Sequence, residues 1–522
     1  MLLTAFSVAE AQTINAASCN ESDVSKALSS ITADGTTVTI PAGNCTWTTS
    51  LSYTQTNSFT LQGAGAVSYS PSSISGTGTD STIIQDNINH NNSDPPLLAI
   101  TMIAGKSFRM TGIAFTYSSS NSSITYNGSL RFSGTSTSFR LDHNHFNQID
   151  NVDMQFLGWL EGVVDHNQFD AGFPDENQMR FSEGGWNNDS LGYGDQSWAD
   201  TSHWGSSQFL FAENNNFQYV GTVSNPTNNG GFAFDCNQGG RFVFRYNNVG
   251  QQTALQTHGT GPLLPGPGGG GRGCRAFEIY NNVMNFSWTQ NNPTNNFFFA
   301  VIDFESGTSL WWGNTFTAYQ KVVDADVVRT NTATYPETAT PNGWGYCGST
   351  YGPSSWDQNS SSTGSACIDS IGRGKGDLLA GGFPNRVDSV TGTITWPNQA
   401  SDPVYMWMNT FNPVPQETNY YWVTYAPAAI TENKDYYLQL PNVQESASFN
   451  GTAGTGYGLY SAIPSTCTPF VAYWATDQNT LYQCSSPNTW TAYYTPYTYP
   501  HPLTQGNSSV PAAPTALQAT VN

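Results

Sequence analysis

The chain has 522 residues, including 50 Gly, 29 Phe, 26 Tyr and 15 Trp, and only 10% of its residues are charged. Its formal charge of −21, from 16 basic and 37 acidic residues, excludes the basic surface that nucleic acids and anionic membranes attract. This composition is typical of β-rich extracellular proteins.

Residues 1–11, MLLTAFSVAEA, resemble the end of a secretory signal, with an apolar run and a small-residue cleavage site after Ala11. The basic residues that open such signals are missing, so an ordinary β-strand at the start of the chain is the alternative. No later segment reaches the roughly 20 apolar residues of a membrane-spanning helix. We therefore expect a secreted or cell-surface protein without a membrane span.

Residues 12–65 are predicted to form an N-terminal cap and the first strands. The sequence NAASCNESDVSKALSS predicts a short amphipathic helix, and TTVTIPAGNCTW and FTLQGAG predict strands. Such a segment suits the exposed end of a solenoid, where unpaired strand edges need a cover.

Residues 66–425 contain a recurring pattern of an apolar stretch, an Asn, any residue, and Phe or Val. Strand-forming residues alternate with period two within its copies, and a helical period of 3.6 is absent. The first two copies are 23 residues apart, about one coil of a β-helix. The repeated asparagines are Asn144, Asn167, Asn215, Asn247, Asn281, Asn314 and Asn409.

Stacking these repeats predicts an all-β fold, a right-handed parallel β-helix (solenoid). The asparagines are expected at tight corners in the left-handed conformation, with side-chain amides bonded to the next coil. The apolar column predicted inside the solenoid is Phe146, Phe169, Phe217, Val249, Val283, Phe316 and Phe411.

Residues 426–505 are predicted to be a small disulfide-bridged module rich in Tyr and Trp. Residues 506–522 form a Pro- and Ala-rich linker that resembles the opening of a fibronectin type III domain. A larger parent protein is therefore expected.

Eight cysteines fall into four sequence-local couples without the CxxC spacing of a zinc site. Four disulfides are the simplest interpretation, although other pairings stay open, and they indicate an oxidising compartment. The couples are Cys19 with Cys45, Cys236 with Cys274, Cys347 with Cys367, and Cys467 with Cys484.

Over residues 30–425, the Asn-x-Phe coils, LDHNHF and VDHNQF among them, and the IPAGNCTW and LQGAG opening resemble the pectate-lyase superfamily of right-handed β-helices. That resemblance implies a β-helix with a polysaccharide partner. It leaves the activity open, because the superfamily includes lyases, glycoside hydrolases, epimerases and adhesive or tail-spike proteins.

The sequence FVFRYNNV, a Gly-rich loop and Arg272-Gly-Cys-Arg275-Ala-Phe-Glu-Ile-Tyr-Asn-Asn are similar to the strand, Arg-x-Pro-Arg and Asn-Asn sequence of pectate lyases, with Cys274 in place of Pro. By this resemblance Arg272 is the candidate base that abstracts the proton α to a uronate carboxylate. Arg275 would neutralise the enolate-like charge. An arginine base needs a strongly depressed pKa, which the family's chemistry links to calcium.

Three acidic residues, Asp142, Asp165 and Glu213, stand two positions before a repeat Asn. Stacked coils would line them up on the solenoid surface, where carboxylates could bind Ca²⁺. The alternative is that they are solvated carboxylates at a turn. We expect no organic cofactor.

His258, beside a Gly-rich loop, is a candidate proton carrier. Asp303 and Glu305, in FAVIDFESG, would point to one face of a strand with about 6.6 Å between their backbones. They are the candidate carboxylate pair of a hydrolase, and a turn before Gly307 is the alternative.

The loop 182–208 combines aromatic residues with carboxylates, which suits sugar rings and their hydroxyl groups. A surface loop without this role is the alternative. The candidate substrate-binding residues are Trp186, Tyr193, Trp198, Trp204, Glu183, Asp195, Asp200 and His203.

Three functions stay open at this point. The first is a polysaccharide lyase that cleaves a uronate-containing glycan by β-elimination, although the negative charge of the chain would repel a polyanion unless calcium bridges the two. The second is a glycoside hydrolase with paired carboxylates acting on a neutral polysaccharide. The third is a non-catalytic glycan-binding adhesin or spike-like surface protein.

Overall fold

The fold was obtained as a computed structural model of the full chain, and most strands of the predicted solenoid are described. The described residues are 12–68, 77–91, 93–121, 123–125, 127–173, 176–182, 201–220, 231–250, 252, 255–259, 273–286, 300–325, 369–376, 399–413, 418–424, 430–442 and 449–505. The predicted signal segment 1–11 and the linker 506–522 lie outside them.

Sheet 1 is one of three long parallel sheets in the described part of the chain. Two of its strands are long and bend into the next sheet. Its strands are β4 (Leu51–Thr54), β9 (Leu98–Met102), β12 (Leu130–Asp142, first half), β14 (Val152–Asp165, first half), β16 (Asn177–Ser182), β19 (Phe234–Asn237), β22 (Leu255–Thr257), β25 (Ala300–Phe304), β28 (Lys321–Ala325) and β33 (Tyr420–Thr424).

Sheet 2 follows sheet 1 along each coil and includes the second halves of β12 and β14. Its other strands are β1 (Thr13–Asn15), β2 (Thr36–Thr39), β5 (Phe59–Gln62), β10 (Phe108–Thr111), β17 (Leu210–Glu213), β20 (Arg241–Arg245), β23 (Ala276–Tyr280), β26 (Thr308–Trp312), β31 (Val404–Trp407) and β34 (Tyr436–Leu438).

Sheet 3 closes each coil with short strands. They are β3 (Gly43–Trp47), β8 (Thr82–Asp86), β11 (Ala114–Tyr117), β13 (His145–Asn147), β15 (Gln168–Ala171), β18 (Asn216–Tyr219), β21 (Asn248–Gly250), β24 (Val283–Asn285), β27 (Thr315–Thr317) and β32 (Thr410–Asn412).

The chain visits sheets 1, 2 and 3 in the same order coil after coil. The pairings between coils are parallel, and the register shifts between Ser136 and Phe139, where β12 and β14 pass from sheet 1 into sheet 2. This is a parallel β-helix, as the repeat predicts. The right-handed winding is the hand that parallel crossover connections adopt. Two short antiparallel pairs are separate from the three sheets, β6 (Ala66–Ser68) with β7 (Thr77–Thr79) and β29 (Arg373–Gly376) with β30 (Gln399–Ser401).

Aromatic rings stack along the interior of sheet 3, as predicted. The ring centroids of Phe146 and Phe169 are 4.7 Å apart, and those of Phe169 and Phe217 are 4.5 Å apart. One predicted member is wrong, because Val283 is 50% exposed and Met284 occupies the column instead. The sequence YNNVM offers both registers, and burial of the longer Met side chain decides between them.

The repeat asparagines form a continuous buried ladder. After Asn144, the Oδ1 atom of each ladder Asn accepts the backbone N–H and the side-chain Nδ2–H of the Asn one coil earlier, at 2.9–3.2 Å. An unsatisfied buried amide costs about 1–3 kcal/mol, so the ladder makes each coil depend on its neighbour. Its members are Asn144, Asn167, Asn215, Asn247, Asn282, Asn314 and Asn409.

Two details of the predicted ladder are corrected. Asn282 rather than Asn281 is the ladder residue, and the Asn281 side chain donates to the Tyr246 hydroxyl. The left-handed conformation belongs to the residue before the ladder Asn, as at His143 (φ 53°) and His166 (φ 55°). The tight corner is therefore made one position earlier, which leaves the Asn amide free of the turn and directed along the stack.

The N-terminal end carries the predicted helix, α1 (Glu21–Ser29), whose buried face includes Val24 and Leu28. Disulfide bonds confirm three predicted couples: Cys19–Cys45, Cys236–Cys274 and Cys467–Cys484. Cys347 and Cys367 lie outside the described residues.

The C-terminal residues form a separate small sheet, β35 (Thr455–Gly458), β36 (Ala472–Ala475), β37 (Thr480–Ser486) and β38 (Thr489–Tyr494), with 3-10 turns at Tyr460–Ala462 and Pro502–Thr504. We call residues 449–505 the C-terminal module. It packs on the outer face of sheet 2, where Trp474 lies 5.3 Å from the rings of both Trp312 and Trp407. The module therefore covers one side wall of the solenoid.

Candidate functional site

The outer face of sheet 1 carries a row of polar side chains, which we call the sheet 1 column. Its strands alternate, with Phe234 and Cys236 of β19 in the apolar core and Asp235 between them directed outward. Parallel register places the outward residues of successive coils side by side. The column is Arg180, Asp235, Gln256, Asp303 and Asp324.

Two further groups lie beside this column. His258 follows Thr257 at the end of β22, and Glu305 follows Phe304 at the end of β25; because Thr257 and Phe304 are register partners, His258 and Glu305 are neighbours in adjacent coils. Glu305 Oε2 accepts the backbone N–H of Gly259 at 2.8 Å.

Asp235 joins a cation and an imidazole. Its Oδ2 lies 2.7 Å from Arg180 Nε, and its Oδ1 lies 3.3 Å from His258 Nε2. Asp235 is fully buried, whereas the His258 side chain is 30% exposed. The reachable member of this group is therefore the imidazole, with the carboxylate behind it.

The charges set the protonation of this group. Burial raises the pKa of Asp235, but His258 and Arg180 outweigh it and lower the value to about 2, so the carboxylate is ionised. Burial lowers the pKa of His258, but the Asp235 carboxylate outweighs it and the net shift is upward, with Glu305 adding to the effect. His258 can thus exchange a proton above the usual histidine range, next to a permanent negative charge.

The backbone of His258 is fixed from both sides by the disulfide-linked segments. Its N–H donates to Cys236 O at 2.8 Å, and its carbonyl accepts the Cys274 N–H at 3.3 Å and the Ser306 hydroxyl at 2.7 Å. Because Cys236 and Cys274 are bonded to each other, the imidazole stands on a rigid base.

The remaining polar residues extend the face along the solenoid axis. Gln256 Nε2 lies 3.5 Å from Asp303 Oδ2, and Lys321 Nζ lies 2.8 Å from Asp324 Oδ2. The sequence predictions His258, Asp303 and Glu305 therefore come together on one surface. Their catalytic roles stay predictions.

Of the two predicted arginines, only Arg275 is among the described residues. Arg272 lies outside the described residues. Arg275 is buried at the start of sheet 2, with a side chain 1% exposed and its Nη1 3.4 Å from Asp402 Oδ2. A substrate could not reach this guanidinium without displacing the residues around it, so Arg275 does not fit the predicted role of a charge-neutralising group.

The predicted acidic column, Asp142, Asp165 and Glu213, is present in register on sheet 2. We call it the sheet 2 column. Each acid has an arginine partner: Arg109 Nε is 2.6 Å from Asp142, Arg140 Nε is 2.9 Å from Asp165, and Arg245 Nε is 2.7 Å from Glu213. Burial raises the pKa of Asp142, but Arg109 and His143 hold it well below its usual range.

The end of the C-terminal module lies over this column. Leu503 O accepts from Arg140 Nη1 at 2.9 Å, Tyr497 O accepts from Arg245 Nη1 at 2.8 Å, and the His501 N–H donates to Glu213 Oε1 at 2.8 Å. Calcium needs six to eight oxygen ligands, and these carboxylates are buried and engaged by guanidinium groups. The column does not fit a calcium site.

The predicted sugar-binding loop is described only in its last part. Trp186, Tyr193, Trp198, Glu183, Asp195 and Asp200 lie outside the described residues. Trp204 packs between sheet 2 and the C-terminal module, where its indole N–H donates to the Tyr493 hydroxyl at 2.9 Å. His203, beside it, has a left-handed backbone with φ 59°. The environment of Trp204 is that of an interface residue rather than of a sugar-binding platform.

The sequence reasoning missed Arg180 and Asp235. The sequence does contain a sign of them, because NQMRFS and FDCN each place one polar residue between two apolar ones. This alternation predicts that Arg180 and Asp235 point outward from a strand whose neighbouring residues are buried. These strands lie outside the Asn-x-Phe repeat. Because the connections between coils differ in length, the sequence does not show that the strands carrying Arg180 and Asp235 are neighbours.

Comparisons with known proteins find few likenesses. No protein-family model and no curated protein matches the chain. Among solved structures, an alginate lyase from Paenibacillus sp. str. FPU-7 is 11% identical, with 60% of this chain and 91% of that chain covered and a TM-score of 0.34. ORF18 of Geobacillus virus E2 is 12% identical, with 60% and 57% covered and a TM-score of 0.24. At these scores neither carries an argument, and the fold rests on the strand pairing above.

A search of the described residues for membrane-spanning helices finds none of sufficient length and apolarity.

Proposed function

We propose that this protein is a secreted polysaccharide lyase that binds its glycan along the sheet 1 column and uses His258 as the proton-transfer group. The observation that supports the proposal is the partly exposed His258 imidazole 3.3 Å from the buried, ionised Asp235. A carboxylate in that position orients an imidazole and stabilises its protonated form.

The proposed reaction is a β-elimination on a uronate. His258 takes the proton from the carbon next to the uronate carboxylate, and the electron pair of that C–H bond forms a carbon–carbon double bond. The glycosidic C–O bond on the adjacent carbon breaks, and its oxygen leaves with a proton, which the imidazolium can return. The products are a new reducing end and an unsaturated sugar.

Cationic and amide groups near His258 would stabilise the negative charge that develops on the substrate carboxylate. Arg180 Nε is bonded to Asp235, and Gln256 stands in the next coil of the same column. Donors placed where negative charge develops lower the barrier of such a step. The acids Asp303 and Glu305 lie on the same face and would repel a densely charged polyanion, so a sparsely charged glycan is the better substrate.

A glycoside hydrolase is the second candidate, and the placement of Asp303 and Glu305 favours it. They lie two residues apart on the side of the strand that carries the sheet 1 column, which corresponds to about 6.6 Å of strand rise. That value lies near the roughly 6.5–9.5 Å separation of carboxyl groups in inverting glycosidases.

One assay separates these functions. Uronate-containing and neutral polysaccharides are incubated with the wild-type protein, with and without a chelator, while ultraviolet absorbance of unsaturated sugars and reducing ends are recorded together. A lyase raises both signals in parallel, whereas a hydrolase raises reducing ends alone. Binding to the glycan without either product would support the non-catalytic adhesin.

The variant His258→Gln tests the role of the imidazole, and His143→Gln is its matched control. His143 also contacts an aspartate, with Nδ1 2.8 Å from Asp142 Oδ2, but it lies at the edge of sheet 2. We expect product formation to be lost in the first variant and kept in the second. Full activity of His258→Gln would refute the proposal.

A further inference from the structure

A second group of ionisable residues lies buried at the corners that lead from sheet 3 to sheet 1. Asp86 ends β8, His90 follows in the same corner, and Asp150 lies in the corresponding corner two coils further on. The side chains of all three have no exposed surface. This cluster is made by stacking, since its acids are separated by 64 positions in the sequence.

Three potential ligand atoms converge at its centre. His90 Nε2 lies 3.4 Å from Asp86 Oδ2 and 3.4 Å from Asp150 Oδ2, and all three atoms lie within 4.8 Å of one another. His90 Nε2 and Asp150 Oδ2 are buried and have no hydrogen-bond partner among the described residues.

The orientation of His90 is fixed by groups outside the cluster. Its Nδ1 lies 2.8 Å from the carbonyl oxygen of Pro95, and its backbone N–H donates to the Ser123 hydroxyl at 2.9 Å. A carbonyl can only accept, so Nδ1 carries the proton. A histidine held in this way presents Nε2 to a metal ion.

The two carboxylates are anchored through their outer oxygens. Asp150 Oδ1 accepts the backbone N–H groups of Thr125 and Asn151, both at 2.7 Å, and Asp86 Oδ1 accepts that of Ile88 at 2.9 Å. Their Oδ2 atoms are thereby turned toward His90. The Ser129 hydroxyl also donates to Asp86 Oδ2.

An imidazolium bonded to both acids does not account for these distances. N–H···O hydrogen bonds are about 2.7–3.2 Å long, and both separations in the cluster are 3.4 Å. His145 provides the contrast within the same chain, because its two ring nitrogens lie 2.9 Å from Asp80 and 2.9 Å from Asp170. The two 3.4 Å separations around His90 Nε2 are longer than those of hydrogen-bonded pairs and leave room for an ion between the three atoms.

We propose that Asp86, His90 and Asp150 bind one divalent cation of the zinc class through Asp86 Oδ2, His90 Nε2 and Asp150 Oδ2. Metal–ligand bonds of about 2.1 Å place neighbouring ligands of a tetrahedral site about 3.4 Å apart. One nitrogen and two carboxylate oxygens form a suitable donor set for zinc, whereas calcium needs more oxygens than the cluster supplies.

The charge of the cluster agrees with a bound cation. Asp153 adds another buried carboxyl group, whose Oδ1 accepts the Asp150 N–H at 3.2 Å. A dication would neutralise the two ligand carboxylates. It would also tie together corners two coils apart, so its role is to stabilise the first half of the solenoid.

The test uses the purified full chain after removal of metals with a chelator. Zinc is added in a calorimetric titration, and thermal unfolding is followed with and without zinc. We expect one zinc per chain and a higher melting temperature, with both effects lost in His90→Gln and Asp150→Asn. The controls His145→Gln and His258→Gln should keep the same stoichiometry.

X-ray absorption of the zinc-loaded wild type decides the case if the cluster variants fail to fold. A first shell of oxygen and nitrogen at about 2.0–2.1 Å with one imidazole supports the site. A wild-type chain that takes up no zinc, a zinc shell without imidazole, or unchanged zinc binding by a folded His90→Gln variant would overturn the proposal.

Discussion

Sheet 1 and sheet 2 both stack acidic side chains on their outer faces, but these acids have different partners. On sheet 2 the acids Asp142, Asp165 and Glu213 each face an arginine, and the C-terminal module contacts Glu213 and Arg140, the partner of Asp165. On sheet 1 the acid Asp235 has Arg180 on one side and the partly exposed His258 on the other.

The difference shows that stacking alone does not make a site. The same stacking yields a column of ion pairs on sheet 2 and a partly exposed imidazole beside a buried carboxylate on sheet 1. The two columns differ in charge balance and in solvent exposure. Each sheet 2 acid has its own guanidinium partner, whereas the sheet 1 column includes an imidazole that is 30% exposed.

The largest expected effect is on catalysis at sheet 1. His258→Ala should lower kcat by about 10²–10⁴, the usual contribution of a general acid–base group, while thermal unfolding stays close to that of the wild type. Initial rates on the preferred glycan and circular-dichroism melting measure the two effects. If the melting temperature falls as far as the rate does, His258 belongs with the structural columns instead.

The next effect is on stability at sheet 2. Glu213→Gln leaves the buried Arg245 without its ionised partner and should cost about 3–5 kcal/mol of unfolding free energy, with kcat per folded molecule unchanged. Denaturant unfolding measures the loss. The control is Lys106→Ala, which removes an exposed ion pair with Asp34 at 2.8 Å and should cost about 0–1 kcal/mol. Equal losses in the two variants would contradict the structural role of the sheet 2 column.

A smaller effect is expected on the pH dependence of catalysis. The Asp235 carboxylate raises the pKa of His258, and a general base must be deprotonated, so activity should rise with pH through that pKa. Asp235→Asn removes the negative charge, lowers the pKa of His258 and should move the acid limb of the kcat/KM profile to lower pH.

A pH series of kcat/KM measures this shift. Asp34→Asn, which lies in the first coils beside Lys106 and outside the sheet 1 column, is the control that should leave the limb in place. A limb that stays fixed in Asp235→Asn would show that His258 does not titrate in the reaction.

The smallest effect concerns the cover over sheet 2. The Tyr499 hydroxyl donates to Asn214 Oδ1 at 2.8 Å, and Tyr499→Phe should cost about 0.5–1.5 kcal/mol without changing activity. Thermal unfolding checks it, with Tyr499→Ala as a larger truncation at the same position. A change in kcat in either variant would show that the module also acts on the sheet 1 face.

Several parts of the molecule could be predicted from local pattern. The Asn-x-Phe repeat predicts the parallel β-helix, the ladder and the phenylalanine stack, because each coil repeats the same requirement to bury one ring and one amide. Alternation within FAVIDFESG predicts the shared face of Asp303 and Glu305. The register predicted for YNNVM was wrong by one residue, because both asparagines satisfy the local pattern. Only the burial of Met284 in the core distinguishes the two registers.

The sequence by itself determined that this chain coils as stacked strands with a continuous Asn ladder, since those features arise from residues within one coil and its neighbour. The tertiary structure alone decided which acids meet cations. Arg140 contacts Leu503 across 363 positions, and Asp86 and Asp150 reach the same His90 from corners that are two coils apart. Such contacts depend on how coils and the C-terminal module pack, and no local pattern encodes that packing.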